Sequence, residues 1–135
     1  MSIDQFSYVV ETDKPFKEAL IALRQAAESR KWGVLGDYDF AEILASKGFP
    51  QEEQFKTLDL CNPGHASRVV DVEKLAALCM PCSVLVFVDH GKTKLAAMKP
   101  GALMPQLFPR MAQDLGASLG EMDEQLKEIV DAAAS

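Results

Sequence analysis

Five consecutive apolar residues, Val84-Leu85-Val86-Phe87-Val88, constrain this chain more than any other feature. Successive side chains of a strand point to opposite faces, so a run that is apolar at every position is apolar on both. Such a strand belongs inside a sheet rather than at its edge. Asp89-His90-Gly91-Lys92 follows it and predicts a hairpin into a last strand over residues 93–98.

The remaining strands must flank that centre. Phe6, Tyr8 and Val10 alternate with Ser7 and Glu11 and predict a first strand. Residues 32–40 predict a second, with Trp32, Val34, Tyr38 and Phe40 on one side, and residues 55–61 a third. Between them the period changes. Thr12 and Asp13 offer cap oxygens, Pro15 suits a first helical turn, and Phe16, Ala19, Leu20, Leu23 and Ala27 share one face of a helix over 14–30. A short helix over 41–46 stops at Gly48. Asn62 suits an N-cap and Pro63 a first turn, opening a helix to about residue 70. Residues 73–78 add a helical turn or two, closed by Pro81. Lys99-Pro100-Gly101 breaks the pattern. A C-terminal helix over 106–133 then carries the stripe Phe108, Met111, Leu115, Leu119, Met122, Leu126 and Ile129, kinked or split near Gly116 and Gly120. Ser118 with Glu121 could form a capping box that restarts it.

The order β-α-β-(α)-β-α-β-β-α predicts an α+β fold of two layers. An antiparallel or mixed sheet of about five strands would carry helices on one face. A length of 135 residues is that of one domain spanning 1–135, with 48% hydrophobic and 25% charged residues as in ordinary globular chains. The net charge of −6 repels phosphate backbones and anionic headgroups, so neither nucleic acid nor a membrane is an expected partner. No segment approaches the roughly 20 apolar residues of a membrane span. The opening Met1-Ser2-Ile3-Asp4 lacks a basic, then apolar, leader pattern, and the expected location is the cytoplasm.

Trp32-Gly33-Val34-Leu35 with Asp39, then Cys61-Asn62-Pro63 with Ala66, then Leu78-x-x-Pro81-Cys82, an apolar strand, Pro100 and a final helix form a pattern covering most of the chain. It resembles that of the domain of unknown function 302 family. The resemblance implies a small prokaryotic α+β protein related in fold to the TATA-binding-protein half-domain. It also implies a homodimer and a loose link with sulfur metabolism. Two residues depart from the pattern: Cys79 stands where an aliphatic residue is usual, and Lys99 where an acid is common.

Three cysteines carry the most informative chemistry, and a reducing compartment would keep them free. Cys61 directly precedes the expected N-cap, where free N–H groups would stabilise a thiolate and lower its pKa. Antiparallel third and fourth strands would bring Cys82 to the same sheet end, so Cys61 could attack and Cys82 resolve in thiol exchange or sulfur transfer. Asn62, Pro63 and Asp39 are the expected ligand contacts of a small-molecule site there. Cys79-Met80-Pro81-Cys82 is a C-x-x-C, but it closes a helix rather than opening one, unlike a thioredoxin site.

Two other readings compete. Cys61, His65, Cys79 and Cys82 could supply the four ligands of a tetrahedral site for zinc or another thiophilic metal, although no cofactor is predicted. Alternatively, the thiols are buried as small hydrophobes. Elsewhere, Asp37 and Asp39 lie two apart on one strand face, a paired carboxylate or simply a solvated surface. His90 belongs to an exposed hairpin. The C-terminal stripe offers more apolar surface than one sheet covers, and Gly116 and Gly120 permit close approach of a partner chain.

Overall fold

The computed structural model describes residues 2–135, and Met1, the first residue of the expected domain, lies outside them. The strands are β1 (Ser7–Thr12), β2 (Gly33–Tyr38), β3 (Phe55–Cys61), β4 (Cys82–Asp89) and β5 (Lys92–Met98). They form one sheet in the order β1-β5-β4-β3-β2 with every neighbouring pair antiparallel. The doubly apolar run occupies the middle strand, as its pattern requires.

Register sorts the side chains into rows. Tyr8, Ala97, Val84 and Leu58 lie opposite one another across four strands. Leu95 joins Val10 to Val86 in the next row. This face packs on two helices, α1 (Phe16–Ser29) and the long C-terminal α5 (Arg110–Ala134). Ala19, Leu23 and Ala27 of α1 and Leu119, Leu126 and Ile129 of α5 are buried in the same core as Leu58, Leu60, Val84, Val86 and Leu95. The expected helical stripe is therefore core, and it supplies the hydrophobic stabilisation that holds the two layers together.

Three short helices complete the chain. The first, α2 (Phe40–Ser46), is capped by Asp39, whose carboxylate accepts from the Glu42 N–H at 3.0 Å. The second, α3 (Pro63–Val72), is capped by Asn62 with Pro63 at the first position, as expected. A 3-10 turn, Lys74–Cys79, leads from α3 into β4. The third is α4 (Pro100–Leu107).

Two expectations need correction. Trp32, Val34, Tyr38 and Phe40 do not share a strand face. A β-bulge separates Val34, opposite Leu60, from Gly36, opposite Asp59, and one extra residue reverses the alternation. Asp37 consequently sits opposite Leu58 and is reached by Arg24 at 3.0 Å and Lys56 at 2.8 Å. Phe40 begins α2 instead of ending β2. The expected helix over 106–133, kinked or split near Gly116 and Gly120, does have its kink there, but it starts later, at Arg110. Pro100 opens a separate α4, and Phe108-Pro109 interrupts before α5. Within α5 the break falls at Leu115 (φ −135°, ψ 17°), beside Gly116, whereas Gly120 stays helical.

No helix among the described residues is long and apolar enough to cross a membrane. The junction of α4 with α5 depends on Gly101. A Cβ there would lie 2.5 Å from the Leu119 carbonyl oxygen, and the Gly101 N–H donates to the Asp123 carboxylate at 2.8 Å. Gly101→Ala should therefore destabilise the protein by about 1–3 kcal/mol in denaturant unfolding, because backbone rather than a pliable side chain must yield. Gly120→Ala, which meets nothing within 4 Å, should not destabilise it.

Candidate functional site

The register of β3 on β4 places Leu60 opposite Cys82, so Cys61 and Cys82 come to the same end of the sheet. Asn62, next along, accepts the His65 N–H at 3.1 Å and starts α3. The two cysteines border one cavity together with Asn62, His65, Met80 and Pro81. Its volume is only about 10 Å³, the lower limit for a single water.

This corner is closed in a chemical sense too. Burial pushes the Cys61 thiol above its ordinary pKa, reversing the lowering expected from the helix start. Cys82, 7% exposed, is pushed up to about 12 by burial first and then by Cys61, Asp123 and Asp59. All three cysteines are free thiols. Topology thus joins the pair, but packing leaves no room for a substrate between them.

His65 is not available as a ligand. It is 3% exposed, and both ring nitrogens are engaged. Arg68 can only donate, so at 3.0 Å its guanidinium makes Nδ1 the acceptor. The imidazole is then the neutral Nε2–H tautomer, donating to Gln125 Oε1 at 3.0 Å. The same oxygen accepts Trp32 Nε1–H at 3.0 Å, while the Gln125 amide donates to Glu121 at 3.1 Å. Among the described residues no group of three or more His, Cys, Asp and Glu side chains is placed to hold a metal ion. The Cys61-His65-Cys79-Cys82 set is therefore not assembled as a tetrahedral centre.

On the other side of Cys82 lies a larger cleft, about 500 Å³, at the same sheet end. Asp59, Ser83 and Met98 come from β3, β4 and β5; Cys79 and Met80 come from the segment before β4, and Met104 from α4. The Ser83 hydroxyl donates to Asp59 at 2.7 Å. Among the described residues no cation reaches the Asp59 carboxylate within ion-pair distance. Cys79, Met80 and Met98 are half-buried here, with Cys82 and Met104 buried behind them.

Other expected site residues lie elsewhere. Pro63 opens α3, and Asp39 caps α2 at the far end of β2, about six residues or roughly 20 Å along the strand from Gly33. Asp39 is therefore not part of the cysteine corner. Asp37 is held by Arg24 and Lys56, so the paired carboxylate is not formed. His90 is exposed in the β4–β5 hairpin, as expected. Sequence reasoning missed Gln125 and the placing of Met98 and Met104 in the lining of one cleft with Cys79. A glutamine among the buried positions of a helical stripe signals the first. The second had no local signal, because it depends on β5 register and on α4.

A family model described as "Domain of unknown function DUF302" matches residues 8–133. Among solved structures, the chain is similar to one described as "Crystal structure of uncharacterized conserved protein DUF302 from Bacillus stearothermophilus". The two share 25% sequence identity with a TM-score of 0.86, over 95% of this chain and 98% of that one. No curated protein matches the chain.

A thiol whose pKa rises from 9.0 to about 12 on folding stays protonated in the fold while the unfolded chain ionises. The folded state then binds more protons, so this contribution makes stability fall as pH climbs from 9 towards 12. Across that window the wild type should lose about 1.4 kcal/mol per pH unit relative to Cys82→Ala in urea unfolding. Parallel pH profiles for the two proteins would contradict the buried, protonated thiol.

Proposed function

The chain belongs to the DUF302 family, and from that premise we propose that it is a non-catalytic small-ligand-binding protein whose site is the cleft between Cys79 and α4. The observation that carries this reading is the contrast between two cavities sharing Cys82. One holds about 10 Å³ and the other about 500 Å³. Binding pockets fall in a range of roughly 300–1,000 Å³, mostly apolar with a few fixed polar groups. The larger cleft has that make-up, with Leu78, Leu103 and methionines as walls and the Ser83–Asp59 pair as its polar anchor.

The alternative, thiol exchange between Cys61 and Cys82, has less support. Nucleophilic attack needs a thiolate and an approach path, and burial raises both pKa values.

Titration with the neutral dye Nile red tests the cleft. The dye should bind with one-site behaviour, and Leu103→Glu should weaken it at least about tenfold, since a charge then sits in the apolar wall. Leu35→Glu, on the exposed bulge, should leave it unchanged. Unaltered binding in the Leu103 variant would remove the cleft as the site.

A second copy of the chain is the partner we propose, seated on the sheet face that the helices leave open. Val9, Ala96, Leu85, Thr57 and Tyr38 form one row across all five strands there. Helix α2 approaches one end of this side, with Phe40 stacked on Phe55 at 6.1 Å. Lys94 is paired with Asp89 at 3.3 Å and Glu11 at 4.0 Å within its own face. Such a face can meet its own copy across a two-fold axis, because its central row carries no charge. Light scattering at micromolar concentration should give twice the chain mass, and Leu85→Lys should give a monomer. A monomeric wild type would end this proposal.

A further inference from the structure

We propose that the cleft binds a soft monovalent metal ion of the copper(I) class, held by Cys79, Met80 and Met98 with Cys82 and Met104 behind them. This rests on the reading of the cleft as the ligand site and names what it takes. The chain has three cysteines and six methionines, eight of these nine residues being described. Five of the eight line this one cleft.

They come from four separate places in the fold: the end of the 3-10 turn and the link after it, the first residue of β4, the last residue of β5, and the middle of α4. Sequence proximity explains Cys79, Met80 and Cys82. Only the sheet register and the seating of α4 explain Met98 and Met104.

Donor type then selects the ion. Thiolates and thioethers suit copper(I), whereas zinc takes thiolate, imidazole and carboxylate ligands, and three of these are not grouped here. Thioethers bind without losing a proton, so they can ligate where a buried thiol resists ionisation. Each thiol that joins them releases one proton as its sulfur–metal bond forms, with no electron transferred. Asp59, without a cationic partner among the described residues, adds an attractive negative charge at the same end of the strands.

Anaerobic titration of the full chain with copper(I), in competition with a chromophoric copper(I) chelator, tests this. One equivalent should bind, with an ultraviolet thiolate-to-metal band and release of at least one proton. Met98→Leu should weaken binding by about tenfold or more. Met122→Leu, the same change at a buried position outside the cleft, should leave it unaltered. Zinc(II) should not compete.

Failure of copper(I) to bind while Nile red still depends on Leu103 would overturn the metal and keep the cleft. Loss of the Leu103 dependence would overturn both. Equal affinity in the Met98 and Met122 variants, or zinc binding as tight as copper(I), would also overturn the proposal.

Discussion

The register of β3 against β4 is the constraint on which the rest depends. A slip of one residue would turn every side chain of a strand to the opposite face. With Leu58 opposite Val84 and Leu60 opposite Cys82, four apolar groups point at the helices. The intervening pair, Asp59 and Ser83, is left to form the hydrogen bond that marks the outer cleft. The same register that builds the core therefore sets the buried Cys82 and the exposed Ser83 on opposite faces of the sheet. Burying Val84 and Val86 between two helices and two strands makes any other alignment costly.

Around this centre, polar atoms are buried only where each finds a partner. Gln125 Oε1 accepts from Trp32 and His65 together, tying β2's approach, α3 and α5 at one point. The described residues contain no buried side-chain nitrogen or oxygen without a hydrogen bond. A histidine beside two cysteines looks like a ligand in one dimension. In three dimensions it is a spacer whose tautomer is set by Arg68 on one side and Gln125 on the other.

Much of the architecture was legible in the residues. The central place of β4 and its pairing with β5 followed from the unbroken run and the hairpin after it, and the cap at Asn62 from the preference of asparagine and proline for helix starts. What was not legible shares one cause: it depended on contacts between distant segments. A bulge at Leu35 leaves no mark in composition, yet it reversed the face of Asp37. The separate α4 was hidden because Lys99-Pro100-Gly101 read as a break, whereas Pro100 is the first residue of a helix. The meeting of Cys61 with Cys82 was foreseeable from antiparallel pairing. The tightness of their packing was not, since it is a property of volumes rather than of spacing.

The close seating of Gly101 on Leu119 has a consequence for selectivity. Helix α4 carries Leu103 and Met104 to the rim of the sulfur-lined opening, and its first turn rests against the α5 backbone without space for even a methyl group. That wall is anchored from behind by the Gly101 N–H, which donates to Asp123. On the proposed reading of the cleft, an opening with such a wall would sort visitors by girth before sulfur chemistry has any say.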